Sequence, residues 1–177
     1  MLKNRKPNRL RGYDYSKNNL YFVTICVQDR ICCFGDIIVG TGRDPFVHDP
    51  FACDPSVRKI VLNEYGKIVE NQWLWLGEQY PYVVLHAFVV MPNHIHGIIE
   101  IDRSRIKSPS KIKLLSELMG AYKTNVSKQI HMIGFIEFKW QRSFYEHIIR
   151  DYKSFESISD YIKNNPAKWM QDNFFKF

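Results

Sequence analysis

The chain has 177 residues, is 15% aromatic and 24% charged, and carries a formal charge of +7 with a pI near 9.2. That length suits one domain able to bury a core without staples. No stretch approaches the roughly 18 apolar residues of a membrane span, and Cys26, Cys32, Cys33 and Cys53 have neither C-x-x-C nor zinc-finger spacing. A membrane protein and a disulfide or zinc scaffold are therefore excluded, and the basic balance favours an anionic partner such as nucleic acid. Reduced thiols and the lack of a cleavable leader pattern lead us to expect a cytoplasmic, nucleoid-associated protein.

Most of the positive charge sits in residues 1–17, where Lys3, Arg5, Lys6, Arg9, Arg11 and Lys17 face Asp14 alone. Such a run reads either as a solvated tail or as an arm for DNA phosphates. Residues 20–27 follow as a largely buried strand, and 31–39 read as a short hairpin return. Asp44-Pro45, Asp49-Pro50 and Asp54-Pro55 then recur every five residues. Proline at that period fits neither a helix interior nor a central strand, so residues 40–56 read as a loop insertion.

From Val57 to Leu76 the apolar residues Ile60, Val61, Tyr65, Ile68, Val69, Trp73 and Leu76 fall at helical spacing, with Gly77 as a plausible stop. A hairpin over 82–101 comes next, followed by a second helix over about 112–130. Its buried stripe is Leu114, Leu115, Leu118, Met119, Tyr122 and Val126. The aromatic-dense segment 135–149 can be a strand or a hairpin. A last helix spans about 153–165, capped by Ser154 or Asp151. This order implies a single α+β domain over 1–177: a ferredoxin-like antiparallel sheet with helices on one face, plus a C-terminal helix.

The hairpin holds the most informative residues, Asn93-His94-Ile95-His96-Gly97. Side chains alternate along a strand, so His94 and His96 share one face while Ile95 points into apolar packing. Paired imidazoles on one strand face are a common way to hold a divalent ion, although H-x-H also arises by chance. Tyr161 and Asn165 lie four apart on the last helix and can face one point. A tyrosine beside a metal held by His94, His96 and the Asn165 amide oxygen is a coherent set for attack on phosphate, and it suits Mg²⁺ or Mn²⁺. The rival reading makes Tyr161 a core residue on an apolar stripe. Trp140, Phe144 and Tyr145 read as core or as platforms for unpaired bases. His86 and His147 read as strand or backbone-contact residues, and Glu100 as a distant fourth ligand.

Arg11-Gly12-Tyr13-Asp14-Tyr15 before Tyr21-Phe22-Val23-Thr24-Ile25-Cys26, then Val90-Met91-Pro92-Asn93-His94-Ile95-His96-Gly97, Trp140-Gln141-Arg142 and Tyr161-Ile162-Lys163-Asn164-Asn165-Pro166 together resemble the IS200-like single-tyrosine transposases. The resemblance is greatest to the branch associated with repetitive extragenic palindromes (REP). It covers nearly the whole chain outside 40–56, and Asn165 stands where insertion-sequence members often have Gln. The resemblance implies a metal-dependent endonuclease and strand transferase on single-stranded, hairpin or palindromic DNA. It makes Tyr161 the nucleophile that forms a 5′-phosphotyrosine, with His94 and His96 on the metal. Lys3, Arg5, Lys6, Arg9, Arg11, Lys123, Arg142 and Arg150 are the expected DNA contacts. We expect a monomer, with a dimer that exchanges the tyrosine helix as the alternative. Histidine-triad hydrolases need a further histidine where this chain has Ile98. A hairpin-binding regulator with weak or lost cleavage is the competing function.

Overall fold

The structure is a computed structural model that describes residues 12–39, 58–106, 112–172 and 174. The cationic residues Lys3 to Arg11, and the Asp-Pro insertion, lie outside the described residues. Among the described residues nine main elements run in the order β1 (Asn19–Cys26), β2 (Gly35–Val39), β3 (Arg58–Leu62), α1 (Glu64–Gln79), β4 (Val83–Met91), β5 (His94–Ile101), α2 (Leu115–Met132), β6 (Tyr145–Ile149) and α3 (Tyr152–Asn164). Four strands form one antiparallel sheet in the order β4-β5-β1-β6, and β2 and β3 form a separate two-stranded ribbon. The α+β, ferredoxin-like expectation is met.

The pleat sorts the sheet into two faces. Tyr21, Val23 and Ile25 of β1 and Ile95, Ile99 and Ile101 of β5 are wholly buried beneath α1 and α2, whose Val69, Trp73, Leu76, Leu118, Met119 and Tyr122 complete the main core. The opposite face is narrower. There Ile98, Ile149 and Ile162 form a second apolar cluster with Leu20, Phe22, Ala87, Val89, Phe155 and Ile158, and this cluster seats α3. The two expected helices share one face, and the tyrosine helix takes the other.

Two local expectations are corrected. Residues 58–62 form β3 rather than the first turn of a helix, because their burial alternates with the period of a strand. Helix α1 starts only after Asn63, whose side-chain oxygen accepts from the Gly66 amide at 3.0 Å as an N-cap. Gly77 does not stop that helix, which runs to Gln79. A Cβ on Gly77 would lie 3.5 Å from the Leu85 side chain, so the position sits in ordinary contact with β4. Segment 31–39 does turn back, but its strand pairs with β3 and not with β1. Of the 135–149 segment only Tyr145–Ile149 is a strand, while Trp140 makes an isolated bridge to Val27. Of the two candidate caps, Asp151 is the one observed, accepting from the Ser154 amide at 2.8 Å.

Candidate active site

The two-residue turn Pro92-Asn93 sends β5 back along β4 and starts it on His94. His94 and His96 therefore project from the α3 face of a central strand, and both are essentially inaccessible to solvent. Gly97 follows for a steric reason on the other face: a Cβ there would stand 2.4 Å from Trp73 Cζ2. Only glycine lets β5 pass beneath the α1 tryptophan.

Neighbouring groups orient both imidazoles, and Asn93 fixes the tautomer of His94. His94 Nδ1 lies 2.8 Å from Asn93 Oδ1, and the Asn93 amide nitrogen donates to the carbonyls of Arg30 and Phe174 at 3.1 and 2.9 Å. The amide orientation is thereby set, and its oxygen can only accept. His94 thus carries its proton on Nδ1 and turns a lone pair outward on Nε2, which is buried without a hydrogen-bond partner. His96 Nδ1 meets Thr24 Oγ1 at 2.8 Å, which leaves its Nε2 facing the Tyr161 hydroxyl at 3.2 Å. The Asn93 contact also holds the preceding loop, where Asp29 and Arg30 take left-handed backbone (φ 55° and 57°). Strain of this kind in non-glycine residues collects at functional sites.

Burial keeps both rings neutral. It drives the pKa of His94 well below its ordinary value, with the His96 ring and the Arg30 cation adding smaller pushes the same way. Burial alone lowers His96 to about 3. Neutral imidazoles are the form that binds a metal.

Tyr161 is 43% exposed, with its ring edge-on to His96 at 5.2 Å between centroids. Burial raises its pKa, the Asp172 charge raises it further, and the Asn165 amide acts in the opposite sense. Asn165 is buried, with one amide hydrogen on Asp172 Oδ2 at 3.0 Å and its oxygen left without a partner.

Asp172 is the residue that sequence reasoning missed. Its carboxylate and the ring nitrogens of His94 and His96 place one ligand atom each within 4.8 Å of one another. The reason is local. Pro166–Gln171 is a 3₁₀ turn anchored by buried Trp169, and it swings the chain back beneath the tyrosine helix. No periodicity marks such a return, and an acidic residue beyond the last helix is the only trace it leaves in the sequence. Phe174 completes the surround, with its ring 4.7 Å from His94 and 5.8 Å from His96.

Other expected residues lie apart from this cluster. Glu100 is engaged by His86 at 2.8 Å, across a bulge in β4, so it pairs with a neighbour on the sheet. Trp140 is buried against Phe34, Phe138 and Tyr122. Lys123 and Arg142 share one side of the molecule beside α2, while Arg150 follows the far end of β6.

Three groups suit a divalent ion, two imidazole nitrogens and one carboxylate, and His94 Nε2 is buried and unsatisfied. Buried polar atoms in native structures are normally paired, so the orphaned His94 nitrogen leaves a lone pair for a ligand beside the Asp172 carboxylate. Among the described residues no helix is long and apolar enough to cross a membrane.

No model of a known protein family matches the chain. An uncharacterized protein of Haemophilus influenzae is 32% identical over 97% of this chain and 93% of its own length. A second protein of that organism, provisionally named a REP-associated tyrosine transposase, is 26% identical over 88% of this chain and 74% of its own. Among solved structures, a REP-associated tyrosine transposase bound to a REP hairpin superposes with a TM-score of 0.55 at 21% identity, covering 91% of this chain and 73% of that one. The fold is shared with that structure, the relatives span most of the chain, and the histidine pair faces a helical tyrosine: this chain belongs to one family with the uncharacterized Haemophilus protein and is similar to the REP-associated tyrosine transposases.

Proposed function

We propose that the chain is a metal-dependent, HUH-type endonuclease and strand transferase that acts on hairpin or palindromic DNA bearing a single-stranded stretch. Tyr161 is its nucleophile, and His94, His96, Asn165 and Asp172 are its metal ligands. The observation that carries this reading is the Tyr161 hydroxyl 3.2 Å from His96 Nε2, beside a His94 Nε2 that nothing else satisfies. A Mg²⁺ or Mn²⁺ ion held by these residues would polarise a phosphate and offset charge building on its oxygens.

The chain's own groups perform the rest. Helix α3 presents the phenol to the phosphate while Ile162 anchors the helix to the sheet. The Tyr161 oxygen forms a bond to phosphorus and the bond to the 3′ oxygen breaks, with its electron pair leaving on that oxygen. The phenolic proton passes to solvent, and the 3′ oxygen takes one up. The result is a 5′-phosphotyrosine and a free 3′-hydroxyl, and attack by a 3′-hydroxyl reverses the step and joins strands. Asn93 holds His94 in the tautomer this requires, and Thr24 orients His96. The repetitive hairpin bound by the similar solved structure makes such hairpins the first substrates to test.

The test is incubation with labelled hairpin oligonucleotides from the DNA flanking the gene, with Mg²⁺ or Mn²⁺, followed by a denaturing protein gel. A metal-dependent covalent band is expected, absent from Tyr161→Phe and His94→Ala. Tight hairpin binding without any band would replace this reading with that of a hairpin-binding regulator.

A further inference from the structure

Arg30 reaches the histidine pair from a turn built to hold it there. The segment after β1 takes left-handed backbone at two successive residues, Asp29 (φ 55°) and Arg30 (φ 57°). Neither is glycine, so both carry backbone strain. Three contacts hold the turn in this form. The Arg30 amide donates to the Val27 carbonyl at 3.0 Å, the Gln28 amide to the Lys139 carbonyl at 2.7 Å, and the Asn93 side-chain amide to the Arg30 carbonyl at 3.1 Å. The oxygen of that same Asn93 side chain orients His94. One buried amide therefore fixes both the Arg30 backbone and the His94 ring.

The side chain turns toward the same cluster. Its guanidinium carbon lies 4.9 Å from the centre of the Phe174 ring, and that ring is 4.7 Å from His94 and 5.8 Å from His96. Two groups on the central strands feel its charge. After burial and the His96 ring, Arg30 is the next cause of the lowered His94 pKa. Burial raises the thiol of Cys26, the strand partner of His94, to about 11; Arg30 opposes that rise and the Asp172 carboxylate reinforces it. Arg30 and Asp172 thus act on the same small region. An aromatic face holds a half-buried cation only weakly, so an incoming phosphate can draw the guanidinium away from Phe174.

Charge supplies the reason for a cation at this place. With both imidazoles neutral, a divalent ion offset by Asp172 leaves one net positive charge, which matches a bound phosphodiester. Addition of the Tyr161 oxygen brings a second negative charge onto the five-coordinate phosphorus, and only interactions that strengthen at that point speed the step. An arginine adds the missing charge. Its fork can bind two oxygens of one phosphate at once, which a lysine cannot do. We propose that Arg30 is a catalytic residue of this site: its guanidinium binds the non-bridging oxygens of the phosphate attacked by Tyr161 and stabilises the charge added in the transition state. It keeps its own protons throughout and forms no covalent bond. The proposal rests on the nuclease reading for the reaction, and one arm of its test needs neither metal nor cleavage.

Arg30→Gln removes the charge with little change in length, and Arg30→Lys keeps the charge without the fork. In the first arm, binding is measured in EDTA, in a Tyr161→Phe background, across a salt series. The ligands are a hairpin with its single-stranded arm and the blunt stem alone. One lost phosphate contact on a single strand flattens the plot of log affinity against log salt by about 0.7. Arg30→Gln is expected to show that change for the hairpin with its arm and none for the blunt stem, and Arg30→Lys to keep the parent slope. In the second arm, chains that keep Tyr161 are timed through a single turnover of adduct formation at saturating hairpin with Mn²⁺. Arg30→Gln is expected to slow this step by about 10²–10³, and Arg30→Lys to recover part of the rate, while Mn²⁺ affinity by calorimetry stays at the parent value. A parent slope in Arg30→Gln, or an adduct rate within about threefold of the parent, overturns the proposal. So does a rate loss matched by an equal loss of Mn²⁺ affinity, which would make Arg30 only a support for the Asn93 turn. Failure of the nuclease reading shows separately, as no covalent band from the parent chain, and the metal-free slope then still decides whether Arg30 holds phosphate.

Discussion

Asn93 is wholly buried, and its side chain is committed at both ends: the oxygen to His94 Nδ1, the nitrogen to the carbonyls of Arg30 and Phe174. Removing the amide frees the His94 ring to flip or change tautomer, and it leaves two carbonyls and a ring nitrogen unpaired. Loss of such a supporting partner commonly lowers metal affinity about 10–100-fold. Asn93→Ala is therefore expected to weaken Mn²⁺ binding within that range by titration calorimetry; parent-like affinity would deny the amide its orienting role. The imidazoles also set a pH dependence. Both titrate near pH 6.5 in the unfolded chain but resist protonation in the fold, His96 down to about 3. Between those values the unfolded state binds more protons, so stability rises with pH and is lost as pH falls. The melting temperature of the metal-free chain in EDTA is expected to drop by several degrees from about pH 7 to about pH 5. A flat profile would mean that the rings are far more accessible than their burial implies.

Helix α3 rests on the sheet through a small cluster in which Ile162 is wholly buried against Ile98 and Ile149, with Phe155 and Ile158 at its edge. Ile162 follows Tyr161 directly, so this contact seats the nucleophile as well as the helix. Ile162→Ala should cost about 2–5 kcal/mol, read from denaturant melts. Its adduct yield should fall by more than its hairpin affinity, because the proposed DNA contacts Lys123, Arg142 and Arg150 lie outside α3. Equal losses in both would mean that the whole domain had loosened. The seating itself was legible in the sequence, since the 3.6-residue period and the Asp151 cap defined the helix and the alternation of β5 put both histidines on one face. Asp172 was not legible, because it reaches the site through a 3₁₀ turn that carries no period. Nor was β3: Ile60 and Val61 extend the α1 stripe in register, and only the Asn63 cap separates strand from helix. The apolar pattern of a short strand beside a helix is ambiguous by itself.

At the scale of the molecule, the question is whether one chain completes the site. Tyr161 meets His96 of its own chain, and α3 follows β6 after only Arg150 and Asp151, so the helix cannot travel far from its own sheet. The apolar cluster that binds it is built from the same chain's β1, β4, β5 and β6. A chain assembled in this way should cleave as a monomer. An exchanged dimer would require the short connection to carry α3 onto a neighbour and leave Ile98 and Ile149 to be covered by that neighbour's helix. Mixing two inactive variants separates the arrangements. Tyr161→Phe keeps an intact metal cluster without a nucleophile, and His94→Ala keeps the nucleophile beside a broken cluster. In an exchanged dimer a mixed pair rebuilds one whole site of two, and about a quarter of the parent adduct yield returns at equal ratio if subunits mix freely. For a chain that uses its own tyrosine, the mixture stays as inactive as either variant at every ratio, and sedimentation of the parent gives a single-chain mass with or without hairpin DNA. The cis geometry predicts the second result, and recovery of adduct on mixing would overturn it.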